Sequence, residues 1–139
     1  MWGCVILLAV FAVVSVLVWL LDPNLRRGRE FTAELATREP VADDDLFGRH
    51  FSPAETGPEV PGRVRRVFTR HMGYPAEKLL PDDDLSFFWN EADAVDLIRD
   101  LEREFGIEIT VADVATLQSC TIRAVAHLVS RKADSNQTI

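Results

Sequence analysis

Residues 90–109 read NEADAVDLIRDLEREFGIEI, and this stretch decides the fold. Ala94, Leu97, Ile98, Leu101 and Phe105 recur at spacings of three and four, which aligns them along one face of an α-helix. Asp93, Asp96, Asp100 and Glu102, with Arg99 and Arg103, take the remaining positions and are expected to face water. Asn90 is a candidate N-cap, and Asp93 three residues on completes a pair resembling a capping box. Gly106 suits the left-handed stop of the helix, after which Ile107 and Ile109 return apolar side chains to a core.

The segments around it are helical too. Val60, Val64, Val67, Phe68 and Met72 trace a second amphipathic helix that begins with Pro61 in its first turn and ends at Gly73. Arg63, Arg65, Arg66 and Arg70 lie off its apolar stripe and are expected to form a solvated basic face. The functional alternative is contact with the acidic helix or with anionic lipid headgroups. Residues 74–89 form a long connection carrying Pro75 and Pro81, with Leu79, Leu80, Leu85, Phe87 and Phe88 to pin it down. A short helix is expected over residues 111–117, with Thr110 and Asp113 spaced as a capping box. A last helix starts at Ser119 or Thr121 and runs through Ile122, Val125, Ala126 and Val129. Residues 133–139 read as a frayed polar tail.

The N-terminal segment is of another kind. Residues 1–21 hold no charged side chain, and about 20 helical residues at ~1.5 Å each match the ~30 Å hydrocarbon core of a bilayer. Trp2 and Trp19 stand near its two ends, as in the aromatic belts of membrane spans. A cleaved signal peptide would need a positive start and a small-residue cleavage site, and neither is seen. Arg26, Arg27 and Arg29 follow the segment and no basic residue precedes it, so the expected topology is a single-pass protein with its C-terminal domain in the cytoplasm. Residues 22–59 are polar and proline-punctuated, and are expected to tether the domain to the membrane, with a short helix over residues 29–39 that has Phe31 and Leu35 on one side and is stopped by Pro40.

Long helix, long loop, long helix, short helix, helix is the order of elements in an acyl carrier protein. Four stretches carry the resemblance: VRRVFTRHMG at 64–73, PDDDL at 81–85, VDLI with LEREFGIEI at 95–109, and TIRAV at 121–125. Residues 60–132 therefore resemble an acyl carrier protein, which implies an all-α bundle of about four helices. In that family phosphopantetheine is attached to the serine of an Asp-Ser-Leu triplet at the N-terminus of the second helix. Here Asn90-Glu91-Ala92 stands in its place, and Glu91 has no hydroxyl to modify. Phe88 and Trp89 replace the open approach ahead of the triplet, and Ser86 is the nearest hydroxyl. The resemblance thus implies a carrier fold with its arm lost, and no phosphopantetheine is expected.

Other chemistry finds little support. The 139-residue chain has a net charge of -7, which argues against nucleic-acid binding, where phosphates must be neutralised by clustered Lys and Arg. Cys4 and Cys120 lie far apart and suggest no disulfide. His50, His71, His127 and Cys120 lack paired-ligand spacing, and the acid triplets 43–45 and 82–84 lack the alternating ligands of a calcium loop, so no metal is expected and the triplets read as solvated turns. No constellation supports an enzyme. The reading is a membrane-anchored module that binds a protein partner through Glu91, Asp93, Asp96 and Asp100 of the acidic helix and the Phe88–Trp89 corner. The alternative is a working membrane-tethered carrier using Ser86 in lipid or secondary-metabolite synthesis.

Overall fold

A computed structural model describes residues 2–88 and 91–137, with the side chains of Glu91 and Ala92 also outside the description. Among the described residues the chain is all-helical. Seven α-helices run in the order α1 (Trp2–Leu21), α2 (Pro23–Thr37), α3 (Asp43–His50), α4 (Val60–Met72), α5 (Glu91–Phe105), α6 (Val111–Ala115) and α7 (Ile122–Gln137). Two short 3-10 turns, Ala76–Lys78 and Ser86–Phe88, lie in the long connection between α4 and α5.

α1 stands apart from the rest: none of its side chains is buried, and it is long and apolar enough to cross a membrane. Asp22 ends it and begins α2 at once. Its carboxylate accepts hydrogen bonds from the backbone N–H groups of Asn24 (2.8 Å) and Leu25 (3.4 Å), and Pro23 occupies the first turn, where it lacks no needed donor.

The core is made by α4, α5 and α7. Val64, Val67 and Phe68 of α4 meet Leu97 and Leu101 of α5 and Ile122, Val125, Ala126 and Val129 of α7, all buried in one cluster. Truncating one such leucine to alanine costs about 2–5 kcal/mol. The periodicities of α4 and α5 foretell these faces. Gly73 (φ 76°) and Gly106 (φ 61°) close the two helices in the left-handed conformation that glycine adopts without strain. The Thr110–Asp113 capping box is formed in both directions: the Asp113 N–H donates to Thr110 Oγ1 (3.2 Å) and the Thr110 N–H donates to Asp113 Oδ2 (2.8 Å). α6 ends at Ala115, two residues before the expected Leu117.

Residues 22–59 depart from the expected tether. They form α2 and α3, and Phe31, Leu35, Leu46 and Phe51 are buried in the same cluster as α4, α5 and α7. Four large apolar side chains suffice to draw a polar segment onto a domain, because each gains about 1.5–3 kcal/mol on burial. The basic face of α4 is also different from its expectation. Arg65 is 1 % exposed, donating to the carbonyls of Val41 (2.9 Å) and Leu79 (3.4 Å) and to the carboxylate of Asp43. The acid triplets are ion-pair anchors instead of solvated turns: Asp43 takes Arg65 and Arg66, Asp83 takes Arg38, and Asp82 takes Arg123. The expected tail is helical as far as Gln137.

Candidate functional site

The expected site lies where the 81–88 loop delivers the chain to the N-terminus of α5. This loop is clamped at both ends. The Arg123 N–H donates to the Pro81 carbonyl (3.0 Å), and the Leu85 N–H donates to the Cys120 carbonyl (2.9 Å). Between these points Arg38 forks onto both oxygens of Asp83 at 2.7 and 2.8 Å, a bidentate geometry of the stronger kind, and Asp83 is 10 % exposed. The Asp83 carboxylate also accepts the Leu80 N–H at 2.8 Å. The loop is therefore a rigid shelf.

Ser86 opens the Ser86–Phe88 turn at the end of this shelf and is exposed. Its hydroxyl and its N–H (3.0 Å) both reach Asp84, and these hydrogen bonds hold the Asp84 carboxyl below the usual carboxylate range. Phe87 packs its ring on Phe31 of α2 (centroids 5.5 Å apart), and Phe88 is half-buried and lines a small apolar cavity with Phe68, Met72, Leu85 and Leu97. Trp89 and Asn90, one a candidate binding residue and the other the candidate cap, lie outside the described residues. So does the side chain of Glu91, although α5 begins at that position.

Of the expected acidic binding residues, the three with described side chains, Asp93, Asp96 and Asp100, differ in their surroundings. Asp100 is 15 % exposed and turns toward α4, with His71 Nε2 at 3.1 Å and Arg70 Nε at 3.6 Å. Its neighbour Glu104 meets Arg63 (3.1 Å) and Arg70 (3.3 Å), which hold its carboxyl below the usual range. Arg63 also lies over the Phe105 ring at 4.4 Å. Glu102 accepts the Ile109 N–H at 2.8 Å and so fastens the exit strand of chain after Gly106. Asp93 is half-buried and Asp96 is exposed. Among the described side chains, the open face of α5 thus consists of Val95 (47 % exposed), Asp96, Arg99 and Arg103, an apolar centre between charges of both signs. Arg63 and Arg70 meet the acidic helix, the alternative to the solvated face that their positions predict. Periodicity places the arginines off the core stripe but cannot tell water from a neighbouring helix as their surroundings.

Elsewhere, no group of three or more His, Cys, Asp or Glu side chains that could hold a metal occurs among the described residues. Burial pushes the Cys120 thiol up to about 12, which leaves it protonated and poorly nucleophilic at neutral pH. An open groove of about 640 Å³ beside α7 is lined by Glu55, Asp82, Arg123, His127 and Arg131. Its main cation is already spent on Asp82 (2.7 Å), the His50 carbonyl (2.8 Å) and the Phe51 ring (4.7 Å). Compared with protein-family models, curated proteins and solved structures, the chain matches none.

Proposed function

We propose that this protein is a membrane-anchored adaptor: an acyl-carrier-like bundle without a phosphopantetheine arm, held at the membrane by α1 and facing the cytoplasm. The observation that carries the reading is the start of α5 at Glu91, the position that a carrier would give to its attachment serine. A carboxylate there is favoured by the helix dipole and cannot become a phosphodiester. Docking falls to the outward strip of α5, where Val95 supplies apolar area and Asp96 a charge for a basic partner surface. Arg26, Arg27 and Arg29 just after α1 support the cytoplasmic orientation. An enzyme that ordinarily engages carrier proteins is the kind of partner such a surface would suit.

The test has two parts. Intact mass of the full chain from its own host, with fragment mapping, is expected to show no added group. A phosphopantetheine adduct on Ser86 would overturn the reading and make the protein a tethered carrier. A photo-reactive residue at position 95 is then expected to capture a discrete protein in host membranes, with capture lost in Asp96→Arg and kept in Ser86→Ala.

A further inference from the structure

A second groove, of about 750 Å³, lies where α2 leaves α1, and its size is that of ordinary ligand sites. One wall is the outer face of α2, with Leu25, Gly28, Arg29, Ala33 and Ala36 along it; the other is made by Tyr74, Phe87 and Phe88. α2 buries Phe31 and Leu35, and the Phe31 ring packs on Tyr74 (5.3 Å) and Phe87 (5.5 Å), so the two walls meet there and at Gly28, and the exposed remainder of α2, with Leu25, Ala33 and Ala36, faces the open part of the groove. Three of the polar side chains in the groove, Asp22, Thr32 and Tyr74, are engaged locally. Asp22 caps α2, and Thr32 Oγ1 donates to the Gly28 carbonyl (2.8 Å) with Tyr74 Oη 3.3 Å away. What remains facing the space is largely apolar, with one cation at its edge. That cation is Arg29, whose guanidinium lies over the Trp19 ring of α1 at 4.1 Å. The neighbouring Arg26 is paired with Glu30 at 3.0 Å.

The position of the groove identifies its occupant. Asp22 is the only residue between the apolar helix and α2, so the mouth of the groove opens at the level where α1 ends. Trp19 beneath Arg29 is the pairing of aromatic ring and basic group found at membrane–water interfaces, where phosphates lie within reach of a guanidinium. We propose that this groove takes one anionic phospholipid from the leaflet that α1 leaves, with the phosphodiester at Arg29 and an acyl chain along Leu25, Gly28 and Ala33 toward Phe87. The proposal rests on α1 spanning the membrane. Its consequence is that the bundle is docked on the bilayer at α2 and does not swing from a flexible tether.

The full chain in detergent, titrated with phosphatidylglycerol or phosphatidylcholine and followed by native mass spectrometry, tests this. One phosphatidylglycerol is expected to be retained in preference to phosphatidylcholine. Arg29→Gln, at an exposed position, is expected to weaken retention about fivefold, the effect of one basic residue at an anionic surface. Ala33→Trp, which adds bulk inside the groove without touching the core, is expected to abolish it with an unchanged helical signal. Equal retention of both lipids, or retention indifferent to both substitutions, would overturn the proposal. An alkaline wash of host membranes separates the two claims: release of the chain sinks the membrane span itself, whereas a chain that stays embedded but shows no lipid preference sinks only the groove.

Discussion

The guanidinium of Arg65 and the carboxylate of Asp43 meet at 2.5 Å between α4 and the first turn of α3, with the arginine buried and the aspartate at the rim. Burial raises the Asp43 pKa, but its hydrogen bonds to Arg65 and Arg66 outweigh burial, so the net shift is downward. This pair joins a segment of tether-like sequence to the helical domain. The two carbonyls that Arg65 also serves, of Val41 and Leu79, belong to the same seam.

Arg65→Met keeps much of the volume but leaves both carbonyls without their donor. At about 1–3 kcal/mol for each buried unsatisfied group, a total loss of roughly 2–6 kcal/mol is expected. Chemical denaturation of the full chain in micelles measures it. A loss below about 1 kcal/mol would mean that water replaces the arginine.

Gly62 sits in α4 against the same carboxylate: a Cβ there would stand 2.5 Å from Asp43 Cγ and 2.6 Å from Oδ2. Asp43 is held by two arginines and cannot simply swing aside. Gly62→Ala is therefore expected to destabilise the native chain by about 1–3 kcal/mol, as overpacking does. In an Asp43→Ala background the clash is gone, and the same substitution is expected to stabilise by up to about 1 kcal/mol through helix propensity. The change of sign, read from thermal unfolding of the four chains, is the signature of this contact.

The Cys120 thiol, pushed up to about 12 by burial, is expected to resist alkylation. At pH 8 its thiolate fraction falls on the order of a thousandfold below that of a free cysteine of pKa ~8.5. A Cys4→Ser chain leaves Cys120 as the reporter. Slow labelling when folded and rapid labelling in denaturant is the expected pair of results, and equal rates would show the site to be open.

The capping box of α6 sets a pH response. The Thr110 N–H, the Lys132 ammonium (3.0 Å) and the Thr110 hydroxyl hold the Asp113 carboxyl down to about 2. An unfolded aspartate titrates near ~3.9, so the folded chain is the weaker proton acceptor. The contribution is complete above the unfolded value and is lost as pH falls toward 2. Asp113→Asn is expected to destabilise at pH 6 and to match the parent near pH 2. A stability difference that stays constant with pH would show that the carboxylate is not the active group.

Much of the fold could be read along the chain because it depends on neighbours in sequence. The apolar run of α1 and the three-and-four spacing of α4 and α5 each declare a helix and the face it buries. Gly73, Gly106 and the Thr110–Asp113 box are equally local, since a cap needs only the turn it closes.

Tertiary structure alone decided the surroundings of the charged residues. Asp43 and Arg65, Arg38 and Asp83, and Arg63 and Glu104 are far apart in sequence, and no local rule pairs them. Their meeting buries Arg65, turns Asp100 and Glu104 inward, and reduces a candidate acidic surface to the strip around Val95 and Asp96. Phe31, Leu35, Leu46 and Phe51 were visible as isolated apolar residues in a polar segment. Whether such residues join a core depends on the cavity that α4, α5 and α7 leave open for them, and that cavity exists only once the helices have packed.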